Sequence, residues 1–349
     1  PDMVINFFTF IAKDVRYWLA KLGVKSLEEI IGRTDLIEIL PGETKRQSSL
    51  DLRPIIDSDG LTKNKPRFCS APGNDPYDKG ELAETILKET LSCIKDKTGG
   101  EFFFDIYNNN RSIGAKLSGE IARLNGGKGI SDAPIYLNLK GTAGQSLGAF
   151  NVEGLNINLT GDANDYVGKG MGGGRITIKP PENRKFLPSE TVIIGNTCLY
   201  GATGGKLFAS GQAGERFAVR NSGAVSVIEG AGDHCCEYMT DGVVVVLGPT
   251  GLNFGAGMTG GFSYVLDLDR KFVDLYNHEL IDIHRITPEN MEAHAHHLRS
   301  LISDHYEATE SDVAQEILQD YRSFLSKFWV VKPKASELGS LIASLRDAA

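Results

Sequence analysis

The sequence predicts a mainly β protein: a right-handed parallel β-helix of about seven coils with a period near 19 residues, flanked by N- and C-terminal α-helices. Four glycines recur every 19 residues, at Gly204, Gly223, Gly242 and Gly261, and each precedes a run rich in β-formers. Of the 40 glycines, 33 lie between residues 99 and 261, so this segment has its own architecture. A repeat of this length accommodates short strands and turns but no pair of helices. Parallel crossovers are nearly always right-handed.

Seven short runs follow this phase, and most of them alternate polar with apolar residues, as expected for strands with one buried face. They are IYLNL at 135–139, LNINL at 155–159, RITIK at 175–179, KLFAS at 206–210, AVSVI at 224–228, VVVVL at 243–247 and FSYVL at 262–266. IGAKL at 113–117 is predicted to be the strand of one earlier coil. The proline-bearing stretch 180–191 is predicted to be a loop inserted between coils.

Ten glycines of this segment are interpreted as structural positions of the repeat, at the corners between strands. Glycine adopts positive φ without a clash of Cβ, so it permits a sharp turn. The ten are Gly141, Gly144, Gly148, Gly204, Gly223, Gly242, Gly248, Gly251, Gly255 and Gly261. No residue of the chain is assigned a catalytic, cofactor-binding or metal-binding role.

The glycine distribution also predicts four parts of the chain. Residues 1–40 are predicted to be the helical tail of a preceding domain, and 41–100 a linker and a helix. Residues 101–270 are the β-helix, and 271–349 are a C-terminal helical segment.

Apolar residues at helical spacing predict the flanking helices. The first covers 4–22 and ends at Gly23, a natural C-cap. Ser26, with Glu29 three residues later, predicts a short helix that ends near Gly32. The remaining predicted helices are 81–98, 288–304 with Pro288 near its start, and 311–329 with Ser311 before an acidic turn.

Composition excludes several classes of function. The net charge of −8 gives no electrostatic basis for binding nucleic acid. No apolar run approaches the ~18 residues of a transmembrane helix, and the N-terminus has no signal-peptide pattern, so no membrane partner is expected. The five scattered cysteines favour free thiols in a reducing compartment, here the cytoplasm. They are Cys69, Cys93, Cys198, Cys235 and Cys236. The missing initiator Met indicates a processed or excised piece.

Two matches to GxGxxG are interpreted as corners. They are Gly168, Gly170, Gly173 and Gly255, Gly257, Gly260. A dinucleotide site needs a helix N-terminus after the loop, whereas these loops lead into the runs RITIK and FSYVL.

Histidines and charged residues receive structural interpretations as well. His294, His296 and His297 are predicted to lie on a surface helix, without metal ligands nearby. A nucleophile pair of His234 and Cys235 is disfavoured, because neighbours along a strand point to opposite faces. Six charged residues are expected to stack on one outer face, as a salt-bridged surface or as a docking surface. They are Glu215, Arg216, Arg220, Glu229, Asp233 and Glu237.

The stretches YGATGGKLFASGQAGERFAVRNSGAVSVIEG and EYMTDGVVVVLGPTGLNFGAGMTGGFSYVLD closely resemble the C-terminal GXGXG domain of the large (alpha) subunit of glutamate synthase. The opening PDMVINFFTFIAKDVRYWLAKLGVKSLEEIIGRTDLIE resembles the end of that subunit's FMN-binding synthase domain. The ending KFWVVKPKASEL resembles the bacterial NADPH-dependent type. Cys235 departs from this pattern, since glycine is usual there.

This resemblance implies a reaction in which glutamine, 2-oxoglutarate and reductant give two glutamates. It implies a structural role for this part, which positions the amidotransferase and FMN synthase domains, and an isolated chain without activity. FMN and a 3Fe–4S cluster are expected in the full-length subunit and neither in this chain. A small flavoprotein subunit is the expected partner in the holoenzyme.

Two alternatives remain open at this point. One is an autonomous cytoplasmic β-helix protein related to the formylmethanofuran dehydrogenase group, which shares the glycine repeat. The other is a β-helix carbohydrate-active enzyme, which needs clustered carboxylates along one groove. Asp162, Asp165 and Glu229 are available for that role, but their spacing does not indicate such a cluster.

Overall fold

A computed structural model describes residues 1–48, 50–57, 66–67, 69–70, 73, 80–287 and 291–342. The chain divides into two units, Pro1–Tyr77 and Asp78–Ala349, which are described in turn.

The first unit contains the predicted N-terminal helix. Helix α1 spans Asp2–Leu22 and ends at Gly23, whose φ of 73° is left-handed and whose N–H bonds the last turn. The short helix predicted from Ser26 does not form, and turns replace it. The Glu29 carboxylate accepts a bond from the backbone N–H of Lys25 (3.3 Å) instead of capping Ser26. Of the linker, the structure describes the short helices α2 (Lys45–Ser48) and α3 (Arg53–Ile56) and the residues around them.

The second unit begins with a helix, a strand and a second helix. They are α4 (Glu81–Asp96), β1 (Gly100–Ile106) and α5 (Ala115–Asn125). Helix α4 confirms the prediction for 81–98. The prediction of a strand at 113–117 is wrong, because Gly114 opens α5, which buries Leu117 and Ile121. The strand that precedes the repeat runs is instead β1, which pairs with the next strand along the chain.

The seven predicted runs all lie in strands of one largely parallel sheet. Its members are β2 (Ile135–Ala143), β3 (Leu155–Ala163), β4 (Gly172–Lys179), β5 (Val192–Ile194), β6 (Gly204–Ala209), β7 (Gln212–Ala213), β8 (Ser222–Ile228), β9 (Asp241–Val246) and β10 (Phe262–Leu266). The path β1-β2-β3-β4-β6-β8-β9-β10 follows chain order with parallel neighbours, and β5 and β7 pair beside it. The fold is thus mainly β.

Strand register stacks like residues on the inner face. Leu137 pairs with Ile157, and Ile157 with Ile176, and all three are fully buried. Such a buried aliphatic side chain stabilises the fold by about 1.5–3 kcal/mol. The loop 180–191 precedes β5, as predicted.

The C-terminal part contains two strands where helix was predicted. It comprises β11 (Ile281–Arg285), α6 (Glu292–Thr309), α7 (Asp312–Gln319), α8 (Tyr321–Leu325) and β12 (Phe328–Pro333). Ser311 caps α7 as expected, since its hydroxyl accepts the N–H of Ala314. The helix predicted over 311–329 is nevertheless broken at Asp320, and Pro288 lies outside the described residues. Strand β12 pairs antiparallel with β10 and β11, so it covers the edge of the sheet.

Helices α6 and α7 cover only part of the sheet's outer face. Over β6–β10 the outward side chains are mostly apolar, including Phe208, Val227 and Val245, which belong to one buried cluster with Leu298 and Ile302 of α6. The row of paired residues that contains Phe208 continues over β4, β3 and β2 with polar residues: Thr177, Asn158 and Asn138. Here the outer face borders a cavity.

Candidate functional site

The glycine-rich repeat forms a backbone corner with three residues in the left-handed region at alternate positions. Arg216, Ala218 and Arg220 have φ values of 58°, 57° and 55°. Within the described repeat, six such sets follow one another along the chain, and we call this feature the αL corner. The sets are Ser146–Gly148–Phe150, Tyr166–Gly168–Gly170, Thr197–Leu199–Gly201, Arg216–Ala218–Arg220, His234–Cys236–Tyr238 and Asn253–Gly255–Gly257.

Backbone hydrogen bonds explain why this unusual conformation persists. In the first five sets, the backbone N–H groups of the first and third residues donate onward along the repeat, as Arg216 does to the carbonyl of Asp233 (2.8 Å). The middle residue donates backward, as Ala218 does to Cys198 (2.9 Å). The middle residue is buried in all six sets, whereas the outer two are not. A non-glycine residue there costs about 1–2 kcal/mol, so glycine is favoured wherever a side chain adds nothing.

The ten repeat glycines occupy two kinds of position. Six have positive φ: Gly141, Gly148, Gly223, Gly242, Gly255 and Gly261. The other four do not have it: Gly144, Gly204, Gly248 and Gly251. At Gly248 a Cβ would collide with the backbone carbonyl of Glu229 in the preceding repeat. Close approach of neighbouring backbones, rather than φ, therefore favours glycine at that position.

Both GxGxxG matches belong to this architecture. Gly168 and Gly170 lie in one αL corner, and the chain then enters β4. Gly255 and Gly257 lie in another, before β10. Because neither loop leads into a helix, the helix N-terminus that would hold a pyrophosphate is missing from both.

The adjacent thiols near His234 are structural in their surroundings. Cys235 and Cys236 are both buried, with their sulfurs 3.8 Å apart. Burial raises the pKa of the Cys235 thiol well above its ordinary value, which disfavours the nucleophilic thiolate. The imidazole Nδ1 of His234 lies 3.2 Å from Nδ2 of Asn253 instead. Burial also raises the pKa of Cys198 to about 12.

Two of the three histidines of AHAHHL face the sheet, which corrects the prediction of a surface position. The hydroxyl of Tyr264 lies 2.9 Å from Nδ1 of His294 and 3.1 Å from Nδ1 of His297. His294 is buried and His297 half-buried, whereas His296 is exposed. His294 and His297, three residues apart on α6, therefore both contact the hydroxyl of Tyr264. The signal that was missed is Tyr264, an outward residue of a strand that α6 covers.

The pKa of His297 predicts an acid-sensitive contact. Burial, with smaller contributions from His294 and His296, lowers its pKa to about 4 from 6.5. The unfolded chain binds this proton first, so the stability present above pH ~6.5 falls as the pH drops toward 4. Urea unfolding at a series of pH values should show a shallower fall for His297→Gln than for wild type. His296→Gln, at the exposed neighbour, should retain the wild-type slope; equal slopes for all three proteins would contradict the assignment.

A second buried polar group joins the sheet to the helices. The Glu229 carboxylate is 1% exposed and accepts a hydrogen bond from the hydroxyl of Ser311 (2.5 Å). Nε2 of His305, also fully buried, lies 3.5 Å from the same oxygen. The prediction that Glu229 belongs to an exposed charged ladder is therefore wrong. The pair Arg216–Glu237 (2.9 Å) does lie on that outer surface.

The described residues lack two further kinds of site. No three His, Cys, Asp or Glu side chains in the described ranges are grouped as metal ligands would be. Among the helices that the structure describes, none has the length and apolar character needed to cross a membrane.

Helix α1 has an unusual surface. Leu19 is its one buried residue, whereas Phe7, Phe8 and Phe10 are each more than 60% exposed and Trp18 is 53% exposed. Large exposed apolar patches usually mark interaction surfaces. Within its own unit, α1 therefore presents a surface suited to a partner.

Comparison with known proteins connects these features. The family described as the GXGXG motif matches residues 81–334. The chain is 46% identical over 341 residues to ferredoxin-dependent glutamate synthase 2 of Synechocystis sp.. The aligned region covers 97% of the chain and 22% of that protein. The chain is 47% identical over 334 residues to the ferredoxin-dependent enzyme of Pyropia yezoensis, covering 95% of the chain and 21% of that protein. It is 42% identical over 342 residues to the NADH glutamate synthase of Schizosaccharomyces pombe, covering 96% of the chain and 16% of that protein.

The chain spans about a fifth of the length of the first curated relatives it matches. The match to these relatives covers nearly the whole chain, including the N-terminal unit. With the GXGXG match over 81–334, it shows that the chain belongs to the GXGXG-motif family and is similar along its length to one segment of glutamate synthases.

Proposed function

We propose that the chain is a structural segment of a glutamate synthase, which forms two glutamates from glutamine, 2-oxoglutarate and reductant. In this proposal it holds the amidotransferase and FMN synthase domains at a fixed separation and is inactive in isolation. The observation that carries the proposal is the match to glutamate synthases over 97% of the chain. That match disfavours both the protein of the formylmethanofuran dehydrogenase group and the carbohydrate-active enzyme.

A right-handed parallel β-helix is the architecture that suits this role. Strand order equal to chain order supports it. Registers that join residues 19 or 20 apart, such as Ile157 with Ile176 and Ile135 with Leu155, support one strand per coil. The αL corner supports it too, since its backbone bonds run to both the preceding and the following repeat. Such a solenoid is a stiff spacer, because each repeat contacts its neighbours.

The proposed division of the chain follows from this role. Residues 1–40 end a synthase-type domain, 41–100 cross to the spacer, 101–270 form the β-helix, and 271–349 close it. The exposed aromatic residues of α1 support contact with the FMN synthase domain. The ten repeat glycines serve as structural positions, and no residue is assigned to catalysis.

FMN and the 3Fe–4S cluster belong elsewhere in the full-length subunit. The residues of this chain do not suit the cluster: of its five thiols, Cys198, Cys235 and Cys236 are buried, and they lie apart from Cys69 and Cys93 in sequence. We further propose NADPH as the electron donor, delivered through a small flavoprotein subunit, on the resemblance of the tail KFWVVKPKASEL. The thiols of Cys93, Cys198, Cys235 and Cys236 form no disulfide, which supports a cytoplasmic location. Comparing glutamate formation with NADPH, NADH and reduced ferredoxin tests the donor, and the proposal fails if NADPH is the poorest.

A spacer is best tested by changing its length. Duplicating residues 223–241 in the full-length enzyme adds one repeat, which lengthens a stack of parallel strands by roughly 4.8 Å. We expect glutamine hydrolysis and flavin reduction to continue while glutamate formation from glutamine falls, because the two domains lose their spacing. The same duplication in the isolated chain, monitored by circular dichroism and thermal melting, controls for folding.

Two results would contradict the proposal. Wild-type coupling in the lengthened enzyme would exclude a spacing role. Loss of the fold in the duplicated isolated chain would contradict a β-helix built of exchangeable repeats.

A further inference from the structure

The outer face of the sheet borders a cavity of about 600 Å³ that the structural role leaves unexplained. Strands β2, β3, β4 and β6 form its floor, and α6 forms one wall through Asp304, Glu307 and Ala308. Pockets that bind small molecules usually measure about 300–1,000 Å³. The cavity therefore has the size of a ligand site.

Strand register builds a polar floor in two rows. In the first row Asn138 pairs with Asn158, and Asn158 with Thr177. The amide Nδ2 of Asn158 donates to Oδ1 of Asn138 (2.9 Å), which orients both side chains. In the second row Arg175 pairs with Lys206. Side chains of one row point to the same face, so the donors of both rows face the cavity.

Two donors of this floor lack partners within the described part of the chain. Thr177 is 4% exposed, and its hydroxyl has no hydrogen-bond partner among the residues described. The buried Nε of Arg175 has none among them either. Buried polar groups nearly always have a partner, so this pair is unusual.

The charges of the cavity distinguish Arg175 from the two lysines. Lys206 pairs with Asp304 (3.0 Å), and Lys179 pairs with Glu310 (2.9 Å). Arg175 has no carboxylate partner in the described ranges of the chain. A guanidinium beside an unpaired hydroxyl is the donor set that a carboxylate prefers.

We propose that this cavity binds a free small molecule through its carboxylate, which accepts hydrogen bonds from the Arg175 guanidinium and the Thr177 hydroxyl. The amides of Asn138 and Asn158 provide further polar contacts along the floor. This site goes beyond the structural role and does not depend on it, since its residues lie within one unit of the chain.

The test uses isothermal titration of the purified 349-residue chain at low ionic strength with glutarate. Glutaramide, the neutral diamide of the same length, is the control ligand. We expect glutarate to bind with a dissociation constant of about 1 mM or tighter, and glutaramide to bind at least tenfold more weakly, about the value of one charge-assisted hydrogen bond.

Variants assign the binding to the two donors. Arg175→Gln should weaken glutarate binding at least about tenfold, and Thr177→Val, which is nearly isosteric, should weaken it severalfold. Arg123→Gln removes an exposed guanidinium paired with Glu120 outside the cavity, and it should bind like wild type. Thermal melting establishes which variants fold, and Thr177→Val decides the assignment if Arg175→Gln does not.

Several results would overturn the proposal. They are no glutarate binding to wild type at millimolar concentration, equal binding of glutarate and glutaramide, or wild-type affinity in folded Thr177→Val. Loss of affinity in Arg123→Gln equal to that in Arg175→Gln would also do so, because the effect would then be one of net charge.

Discussion

Gly242→Val is expected to lower the free energy of unfolding of the chain by about 3 kcal/mol or more. Gly242 has a φ of 94°, which a β-branched residue adopts only with strain of about 1–3 kcal/mol. A Cβ there would also lie 2.7 Å from Nδ2 of Asn221 and closer still to the carbonyl of Ala224. Asn221 is fully buried and bonds both the N–H and the carbonyl of Ala224, so the clash would disturb the corner that orders β8. Overpacking of this kind adds about 1–3 kcal/mol.

Gly339→Val is the matched control. Apart from Gly339 itself and its two chain neighbours, no atom of the described residues lies within 4 Å of the Cβ that this change adds, and φ at Gly339 is not in the left-handed region. Urea unfolding followed by circular dichroism should give a midpoint near wild type for Gly339→Val and a much lower one for Gly242→Val. Equal midpoints for Gly242→Val and wild type would refute the structural assignment of Gly242.

Glu229→Ala is expected to destabilise the chain by about 3 kcal/mol. This carboxylate is the shared partner of Ser311 and His305, and all three side chains are buried. Removing one member of a buried polar pair leaves its partners without a hydrogen bond in a medium that does not solvate them. Nδ1 of His305 already lacks a partner, so the imidazole would lose its one polar contact among the described residues.

Glu310→Ala provides the comparison for a surface carboxylate. Glu310 is exposed and pairs with Lys179 (2.9 Å), so its removal should change the urea midpoint little. Glu229→Gln should fall between the two, because the amide oxygen still accepts a bond from Ser311. A Glu229→Ala midpoint equal to that of Glu310→Ala would show that the buried cluster contributes no stability.

The local sequence pattern was sufficient to predict the strands of the repeat and the helices α1, α4 and α6. The 19-residue glycine phase and the alternating runs carry both the presence and the order of the strands, because each repeat contacts its sequence neighbours. The sequence also indicated that neither GxGxxG match is a dinucleotide loop, since the two loops lead into the strand-forming runs RITIK and FSYVL rather than into helices.

Tertiary structure decided what local pattern leaves ambiguous. IGAKL alternates like a strand but opens α5. Phe328 and Trp329, which end the helix predicted over 311–329, instead begin β12, which pairs with β10. A run this short satisfies either period, so contacts distant in sequence select the outcome. The burial of Glu229, the two histidines around Tyr264, and the unpaired donors Arg175 and Thr177 depend on which part of the sheet α6 covers. That placement brings together residues up to 131 positions apart, as between Lys179 and Glu310, and no local spacing encodes it.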